Sequence, residues 1–169
     1  MRLQPALVNS KVPTWFFLPG RHRPELLISR LIVVDTNVVS DLMKVEPSDA
    51  VRAWVVAQDR HELRDTAIAV AEILYGIERL PGGKRKTTLR EGAVEIFSRF
   101  AEEVLPFDAA AATVHAEIVD HRDRLGAPIS EYDAQIATIC RAQGACLATR
   151  SEKDFEGVGA ELINPWSSR

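Results

Sequence analysis

Three acidic residues stand out because most of their neighbours in the sequence are apolar. Asp35 directly follows the apolar run 31–34, and Glu72 is the only charged residue between positions 67 and 77. Asp133 begins an apolar stripe at helical spacing, which continues at Ile136, Ala137 and Cys140. An ionised carboxylate buried without a partner costs several kcal/mol. Each of these acids is therefore expected to face a polar cleft, a cation or the end of a helix.

Each acid also has a purely structural interpretation. Asp35 could cap the helix that follows it, and Glu72 could lie at the rim of a buried helix. Asp133 could stabilise a helix N-terminus, although Glu131 fills that role equally well. Asp154 comes shortly after a predicted strand and would, by itself, be an ordinary loop or capping residue. The residues alone leave these alternatives open.

Taken together, the acids indicate a site for a hard divalent cation. Mg²⁺ and Mn²⁺ prefer oxygen ligands, retain several water molecules and take few carboxylates from the protein. Three or four acids from separate elements could hold one or two such ions. The four histidines lack zinc-type spacing, and the chain contains no GxGxxG, P-loop or GxSxG motif. Mg²⁺, with Mn²⁺ as the alternative, is therefore the expected cofactor.

The elements that must position these acids alternate between strands and helices. Strands are predicted at 31–34, 61–66, 104–107, 145–149 and 162–163. Helices are predicted at 36–42, from 49 onwards, and at 67–80, 84–103, 109–124 and 131–143. This alternation indicates an α/β fold with a mainly parallel sheet flanked by helices. Sites in such sheets form outside the carboxyl ends of the strands, where Asp35 is placed.

The composition indicates one globular domain and excludes several classes of protein. The chain has 169 residues, of which 46% are hydrophobic and 27% charged, and its mean hydropathy is -0.07. No apolar run approaches the ~20 residues of a membrane span, and no signal peptide is evident. Cys140 and Cys146 form no CxxC pair, which is typical of buried thiols in a reducing compartment. We therefore expect a cytoplasmic protein that has no membrane partner.

Residues 1–30 differ from the rest of the chain. They contain four prolines and show no sustained helical or strand periodicity of apolar residues. They are therefore predicted to be a flexible extension or the product of an upstream start codon. Their five basic residues and one acid give a net charge of +4. Residues 31–169, the predicted domain, have 16 basic and 23 acidic residues, a net charge of -7. A domain with that net charge does not bind polyanions non-specifically over its whole surface. Any contact with nucleic acid therefore needs a local basic patch or bound cations.

Six segments, in order, resemble the PIN-domain ribonucleases, and within them the VapC-type toxins of bacterial toxin–antitoxin pairs. They are Val-Asp-Thr-Asn-Val-Val-Ser at 34–40, Ala-Glu-Ile-Leu-Tyr-Gly-Ile at 71–77, Leu-Pro-Phe-Asp at 105–108, Asp-Ala-Gln-Ile-Ala at 133–137, Ala-Thr-Arg at 148–150 with Lys-Asp-Phe at 153–155, and Ile-Asn-Pro-Trp at 163–166. The resemblance covers about four fifths of the chain. It implies a PIN-like, three-layer α/β/α domain over residues 31–169.

The resemblance also implies roles for individual residues. The three acids of the family carry over to Asp35, Glu72 and Asp133, as catalytic residues and metal ligands. Family members have Asp or Asn at the fourth position, where this chain has Ser151, and Asp154 is the alternative ligand. Residues expected to orient carboxylates or waters are Thr36, Asn37, Thr149 and Ser151.

The expected function is that of a toxin which cleaves RNA. The resemblance implies Mg²⁺-dependent hydrolysis of phosphodiester bonds by an activated water, leaving a 5′-phosphate and a 3′-hydroxyl. It also implies a homodimer and a cognate antitoxin that blocks the cleft. Arg150 is a candidate RNA contact, or alternatively pairs with a site carboxylate and contacts the antitoxin. Lys84 and Arg85 are candidates to bind the RNA backbone. It is equally consistent with the sequence that they are solvent-exposed residues at the start of a helix, with no role in binding.

Three other functions are alternatives to this one. A metal-dependent phosphatase needs a second Asp two residues after the first, and this chain has Asn37 there. A receiver domain would place its phosphorylated Asp after a middle strand, and no Asp is so placed. A catalytically degenerate PIN module that only binds a protein or RNA is favoured by Ser151, which brings no charge.

Overall fold

The computed structural model describes residues 30–100 and 104–167. The extension predicted for residues 1–30 therefore lies outside the described residues except for Arg30, as does the predicted end of the helix at 101–103. Within the described part of the chain, no helix is both long and apolar enough to cross a membrane.

Five short strands form one parallel sheet. They are β1 (Ile32–Val34), β2 (Leu63–Thr66), β3 (Val104–Leu105), β4 (Cys146–Ala148) and β5 (Leu162–Ile163). Their order across the sheet is β3-β2-β1-β4-β5, and every pairing is parallel. Because β1 lies in the middle, residues that follow it emerge at the centre of the carboxyl edge. The predicted parallel α/β sheet is confirmed.

Six helices connect the strands. They are α1 (Thr36–Leu42), α2 (Asp49–Ala57), α3 (Ala67–Glu78), α4 (Lys84–Phe100), α5 (Ala109–Arg124) and α6 (Glu131–Gln143), and a 3-10 turn follows at Glu152–Phe155. Side chains of Thr66, Asp108 and Ser130 cap the N-termini of α3, α5 and α6. Gly144 ends α6 with a φ of 61°, a left-handed conformation that favours glycine.

The core consists of two apolar layers, one on each face of the sheet. Ile32 and Val34 point to the layer that contains residues of α1, α2, α3 and α4. Val33 points to the other layer, which is formed mainly by α5, α6 and the residues around the 3-10 turn. A central strand that is covered on both faces does not need to alternate apolar with polar side chains. This explains the uninterrupted apolar run of β1. The arrangement is the three-layer α/β/α fold that the sequence predicts.

Candidate active site

The four predicted acids line one cleft at the carboxyl edge of the sheet. Its volume is about 420 Å³, and Asp35, Glu72, Asp133 and Asp154 all contribute to its wall. They come from four separate places: the end of β1, the middle of α3, the first turn of α6 and the 3-10 turn. The fold thus brings together carboxylates that lie more than a hundred residues apart in the sequence.

Asp35 is almost fully buried at the bottom of this site, with 3% of its surface exposed. Its Oδ1 accepts a hydrogen bond from the backbone N–H of Thr36 at 2.7 Å, so it also caps α1. Burial raises the pKa of Asp35 to about 6, and the charges of Asp133 and Glu72 act in the same direction. Hydrogen bonds from Thr149 and Thr36 oppose this rise. The capping and functional interpretations are therefore compatible at this residue.

A small polar network fixes Asp35. Thr149 donates from Oγ1 to Asp35 Oδ2 at 2.7 Å, and Asn37 Nδ2 donates to the same carboxylate oxygen. Asn37 Nδ2 also donates to Thr149 Oγ1 at 3.0 Å. The backbone N–H of Arg150 donates to Asn37 Oδ1 at 3.2 Å, and that of Ser151 to Thr149 Oγ1 at 3.0 Å. The predicted orienting residues Asn37, Thr149 and Ser151 thus belong to one network.

Glu72 and Asp133 are each oriented by a hydroxyl group. Thr36 Oγ1 donates to Glu72 Oε2 at 2.7 Å, as expected for an orienting residue. Ser130 Oγ donates to Asp133 Oδ2 at 2.6 Å and accepts the Asp133 backbone N–H at 3.2 Å. Asp133 therefore occupies the first turn of α6, as its structural interpretation requires, and still lines the cleft.

Both candidates for the fourth position lie in the cleft. Ser151 is half-buried and Asp154 is exposed, and both line the cavity wall. Ser151 contributes a hydroxyl with no charge, whereas Asp154 contributes a carboxylate from the 3-10 turn. Both residues therefore stay candidates for the fourth position.

The donor set fits a hydrated hard cation. Among the residues that the structure describes, no three His, Cys, Asp or Glu side chains form a group that could hold a metal ion directly. Mg²⁺ commonly keeps several waters and takes one or two carboxylates from the protein. A cleft that has the four predicted acids in its wall, with room for water, matches that preference. A tightly closed site for a softer metal would need His or Cys ligands, and no such residue lines the cleft.

The cleft also has a basic and aromatic part. Arg150 lines it, with its guanidinium carbon 5.6 Å from the centre of the Trp166 ring. Lys44 lines it as well, and its Nζ lies 2.5 Å from Asp41 Oδ1. The other predicted substrate contacts, Lys84 and Arg85, are exposed on the first turn of α4 and do not line the cleft.

Sequence reasoning missed four residues of the cleft: Ser40, Asp41, Lys44 and Trp166. Ser40 lies in the matching segment 34–40 but received no role. Asp41 is buried in α1 between Ser40 and Leu42, so its sequence context is only partly apolar and did not single it out as that of Glu72 did. Its carboxylate accepts from Lys44 and from the backbone N–H of Ser48 at 2.9 Å. Trp166 lies in one of the six matching segments but received no role. Lys44 has no distinguishing sequence context, so only the fold places it at the cleft.

These features define an α/β protein with an acidic cleft at the carboxyl edge of a parallel sheet, suited to a divalent cation and a polyanionic substrate. Residues 32–161 match the model of the PIN domain family. The chain belongs to the PIN-domain family, as its sequence motifs suggest.

Relatives within this family are ribonucleases and toxins. The chain is 41% identical over 139 residues to VapC ribonuclease Y4jK from Sinorhizobium fredii, covering 80% of this chain and 98% of that protein. It is 32% identical to Toxin FitB from Neisseria gonorrhoeae, covering 80% and 99%. It is 30% identical to the tRNA(fMet)-specific endonuclease VapC from Shigella flexneri, covering 80% and 97%.

Two solved structures with more than 30% sequence identity to this chain share its fold. FitAB bound to the IR36 DNA fragment superposes with a TM-score of 0.76 at 31% identity, covering 82% of this chain and 98% of that chain. FitAcB from Neisseria gonorrhoeae gives a TM-score of 0.75 at 32% identity, covering 82% and 100%. The resemblance to VapC-type toxins is thus confirmed at the level of family and fold.

Proposed function

We propose that this chain is a Mg²⁺-dependent endoribonuclease and the toxic component of a toxin–antitoxin pair. The observation that carries the proposal is one cleft walled by Asp35, Glu72, Asp133 and Asp154, with Arg150 at the same wall. Acids supply ligands for a divalent ion, and a cation beside them suits a phosphodiester substrate. The names of the relatives, VapC ribonuclease and Toxin FitB, support the same function.

The chain's own residues would hold and orient the reacting groups. Asp35, Glu72 and Asp133, with Asp154 at the open side, would hold the ion. A divalent ion bound there would supply an activated water for attack on phosphorus and neutralise charge on the scissile phosphate. The hydroxyls of Thr36, Thr149 and Ser130 keep the three carboxylates in position for this task.

The proposal includes partners. RNA is the substrate, and a cognate antitoxin would occupy the cleft until the toxin is released. Support comes from the name of one relative, Toxin FitB, which is 32% identical to this chain. We further propose a homodimer and a cytoplasmic location, the latter consistent with the two buried free thiols of Cys140 and Cys146.

Cleavage of total RNA by the purified protein tests the function. We expect discrete fragments with 5′-phosphates in Mg²⁺, and none in EDTA. Asp133→Asn and Glu72→Gln keep side-chain size but remove charge, and each should slow cleavage by more than about a hundredfold. The matched control is Glu78→Gln, because Glu78 is exposed on the same helix as Glu72 and pairs with Lys86 outside the cleft. Fragments that persist unchanged in Asp133→Asn would contradict the proposal.

A second candidate is a PIN module that binds a partner without cleaving RNA. Ser151, which brings no charge at the position where family members have Asp or Asn, favours it. Expression of the chain in cells separates the two functions. A catalytic toxin loses its effect on growth as Asp133→Asn, whereas a binding module keeps that effect.

A further inference from the structure

Trp166 is held rigidly at the edge of the cleft. Its backbone N–H donates to Asn164 Oδ1 at 3.0 Å, and Asn164 Nδ2 donates to Glu152 Oε2 at 2.7 Å. Pro165, just before it, is buried, and part of the indole packs against the core layer on the α1 side. The rest of the half-buried ring lines the cleft. An aromatic ring fixed in this way loses little conformational entropy when a planar ligand stacks on it.

Arg150 is a cation that has no ion-pair partner among the described residues. Its side chain is exposed, and its guanidinium lies over the Trp166 ring. Among residues 30–100 and 104–167, no carboxylate lies within ion-pairing distance of that guanidinium, although several acids share the cleft with it. Its backbone is fixed through Asn37, which also bonds Asp35. A positive group with a free hydrogen-bonding edge therefore stands next to the acids.

We infer that Trp166 and Arg150 form a nucleotide subsite, in which a base stacks on the pair and the Arg150 guanidinium binds the adjoining phosphate. This inference rests on the proposed ribonuclease function and names how its substrate is held. Arg guanidinium planes and aromatic rings both stack with unpaired bases, and guanidinium edges bind phosphate oxygens. Bases inside a duplex have no free face, so the subsite selects a single-stranded segment of RNA.

Binding of a short oligoadenylate, compared with the same backbone carrying abasic sites, tests the inference. The protein is the full chain with Asp133→Asn, which keeps the RNA intact. Trp166→Leu should weaken binding of oligoadenylate roughly five- to hundredfold, the range known for base stacking on an aromatic side chain. It should leave the weaker binding of the abasic backbone unchanged. Trp166→Phe should retain most of the affinity, because it retains a ring.

Arg150 is tested by the salt dependence of the same binding. Arg150→Ala removes one phosphate contact, so the slope of log affinity against log salt should fall by about one. Arg150→Lys should keep the slope, because it keeps the charge. The matched control for Trp166→Leu is Tyr75→Leu. Tyr75 also has an arginine beside its ring, with Arg79 at 5.7 Å, but it lies on α3 outside the cleft, so its replacement should leave RNA binding unchanged.

Three outcomes overturn the inference. They are an equal loss of affinity for both oligomers in Trp166→Leu, no loss of affinity in that variant, or no binding of oligoadenylate by the Asp133→Asn chain itself. Thermal unfolding of Trp166→Leu shows whether this variant folds. If it does not fold, base-dependent binding by Trp166→Phe decides whether a ring at this position holds the base. The cleavage assay is read separately. RNA cleavage without base-dependent binding contradicts only the subsite, and base-dependent binding without cleavage contradicts only the proposed enzyme.

Discussion

At the scale of single residues, Thr149 connects three parts of the site through one hydroxyl. Its Oγ1 donates to Asp35 Oδ2 and accepts from Asn37 Nδ2 and from the backbone N–H of Ser151. The residue is fully buried, so water cannot replace any of these bonds. The position of the central carboxylate therefore depends on a residue that carries no charge.

We expect Thr149→Val, which keeps the shape of the side chain, to be harmful to both fold and activity. It removes the hydroxyl that donates to the buried Asp35 carboxylate and leaves the half-buried Ser151 N–H without its acceptor, and should cost about 1–3 kcal/mol of unfolding free energy. Cleavage should slow roughly ten- to hundredfold, as for other residues that orient metal ligands. Thr149→Ser keeps the hydroxyl and should show neither effect beyond a small packing loss. Urea unfolding and the cleavage rate measure the two effects, and an active, stable Thr149→Val protein would contradict the proposed role.

The sequence predicts the acids better than their partners. Asp35, Glu72 and Asp133 are conspicuous because a charge in an apolar stretch requires an explanation. Trp166 and Lys44 are ordinary in their local contexts, and they become site residues only because the last strand and the end of α1 meet the cleft. Properties that depend on contacts between distant segments cannot be derived from local patterns.

At the scale of elements, the junction between β2 and α3 contains a second buried acid. Asp65 is fully buried, its Oδ1 accepts the Thr66 backbone N–H at 2.7 Å, and its Oδ2 has no hydrogen-bond partner among the described residues. Burial raises the pKa of Asp65 from 3.8 to about 7, against the lowering effect of that N–H bond. The same junction begins the helix that carries Glu72.

This junction predicts a pH-dependent stability. Between pH 3.8 and about 7 the folded chain holds a proton on Asp65 that the unfolded chain releases, so stability falls as the pH rises through this range. The loss is about 4 kcal/mol at most, at 1.36 kcal/mol for each pH unit. Asp65→Asn keeps the Oδ1 acceptor and removes this contribution. It should therefore melt at a higher temperature than the parent at pH above about 7, with the difference vanishing near pH 4.

Asp120→Asn serves as the control for that measurement, because Asp120 is exposed on α5 and pairs with Arg124 at the surface. Its melting temperature should follow that of the parent at every pH. A difference between Asp65→Asn and the parent that does not change with pH would count against a titrating buried acid.

The elements themselves were largely predictable, and their ends less so. Helix α6 was predicted at its observed bounds, because Ser130 and Gly144 mark both ends. The predicted strand 104–107 extends only over β3, Val104–Leu105. Leu105 pairs with Thr66, and the chain beyond Thr66 turns into α3, so the next residue, Pro106, has neither an N–H nor a strand beside it. A strand ends where its partner ends, which local patterns do not show.

At the scale of the whole molecule, the order of the strands concentrates negative charge. Because β1 is central, Asp35 lies between Glu72 on α3 and Asp133 on α6. The negative charges of both residues raise the pKa of Asp35. Residues 31–169 are acidic as a whole, so the rest of the domain offers little compensation. The fold therefore places like charges together, and a bound cation would relieve their repulsion.

A divalent ion should accordingly stabilise the folded chain, independently of any RNA. A ligand that binds only the folded state adds about 2.7 kcal/mol when its concentration is a hundred times its Kd. We expect the melting temperature to rise with added MgCl₂ at constant ionic strength, and to stay constant when NaCl replaces it. Asp133→Asn should raise the melting temperature in the absence of Mg²⁺, because it removes repulsion, and should weaken the response to the ion. Asp120→Asn, outside the cleft, should respond like the parent. If Mg²⁺ shifts all three proteins equally, the ion binds elsewhere and the carboxylates of the cleft must be balanced by another cation, such as an arginine or lysine from a partner protein.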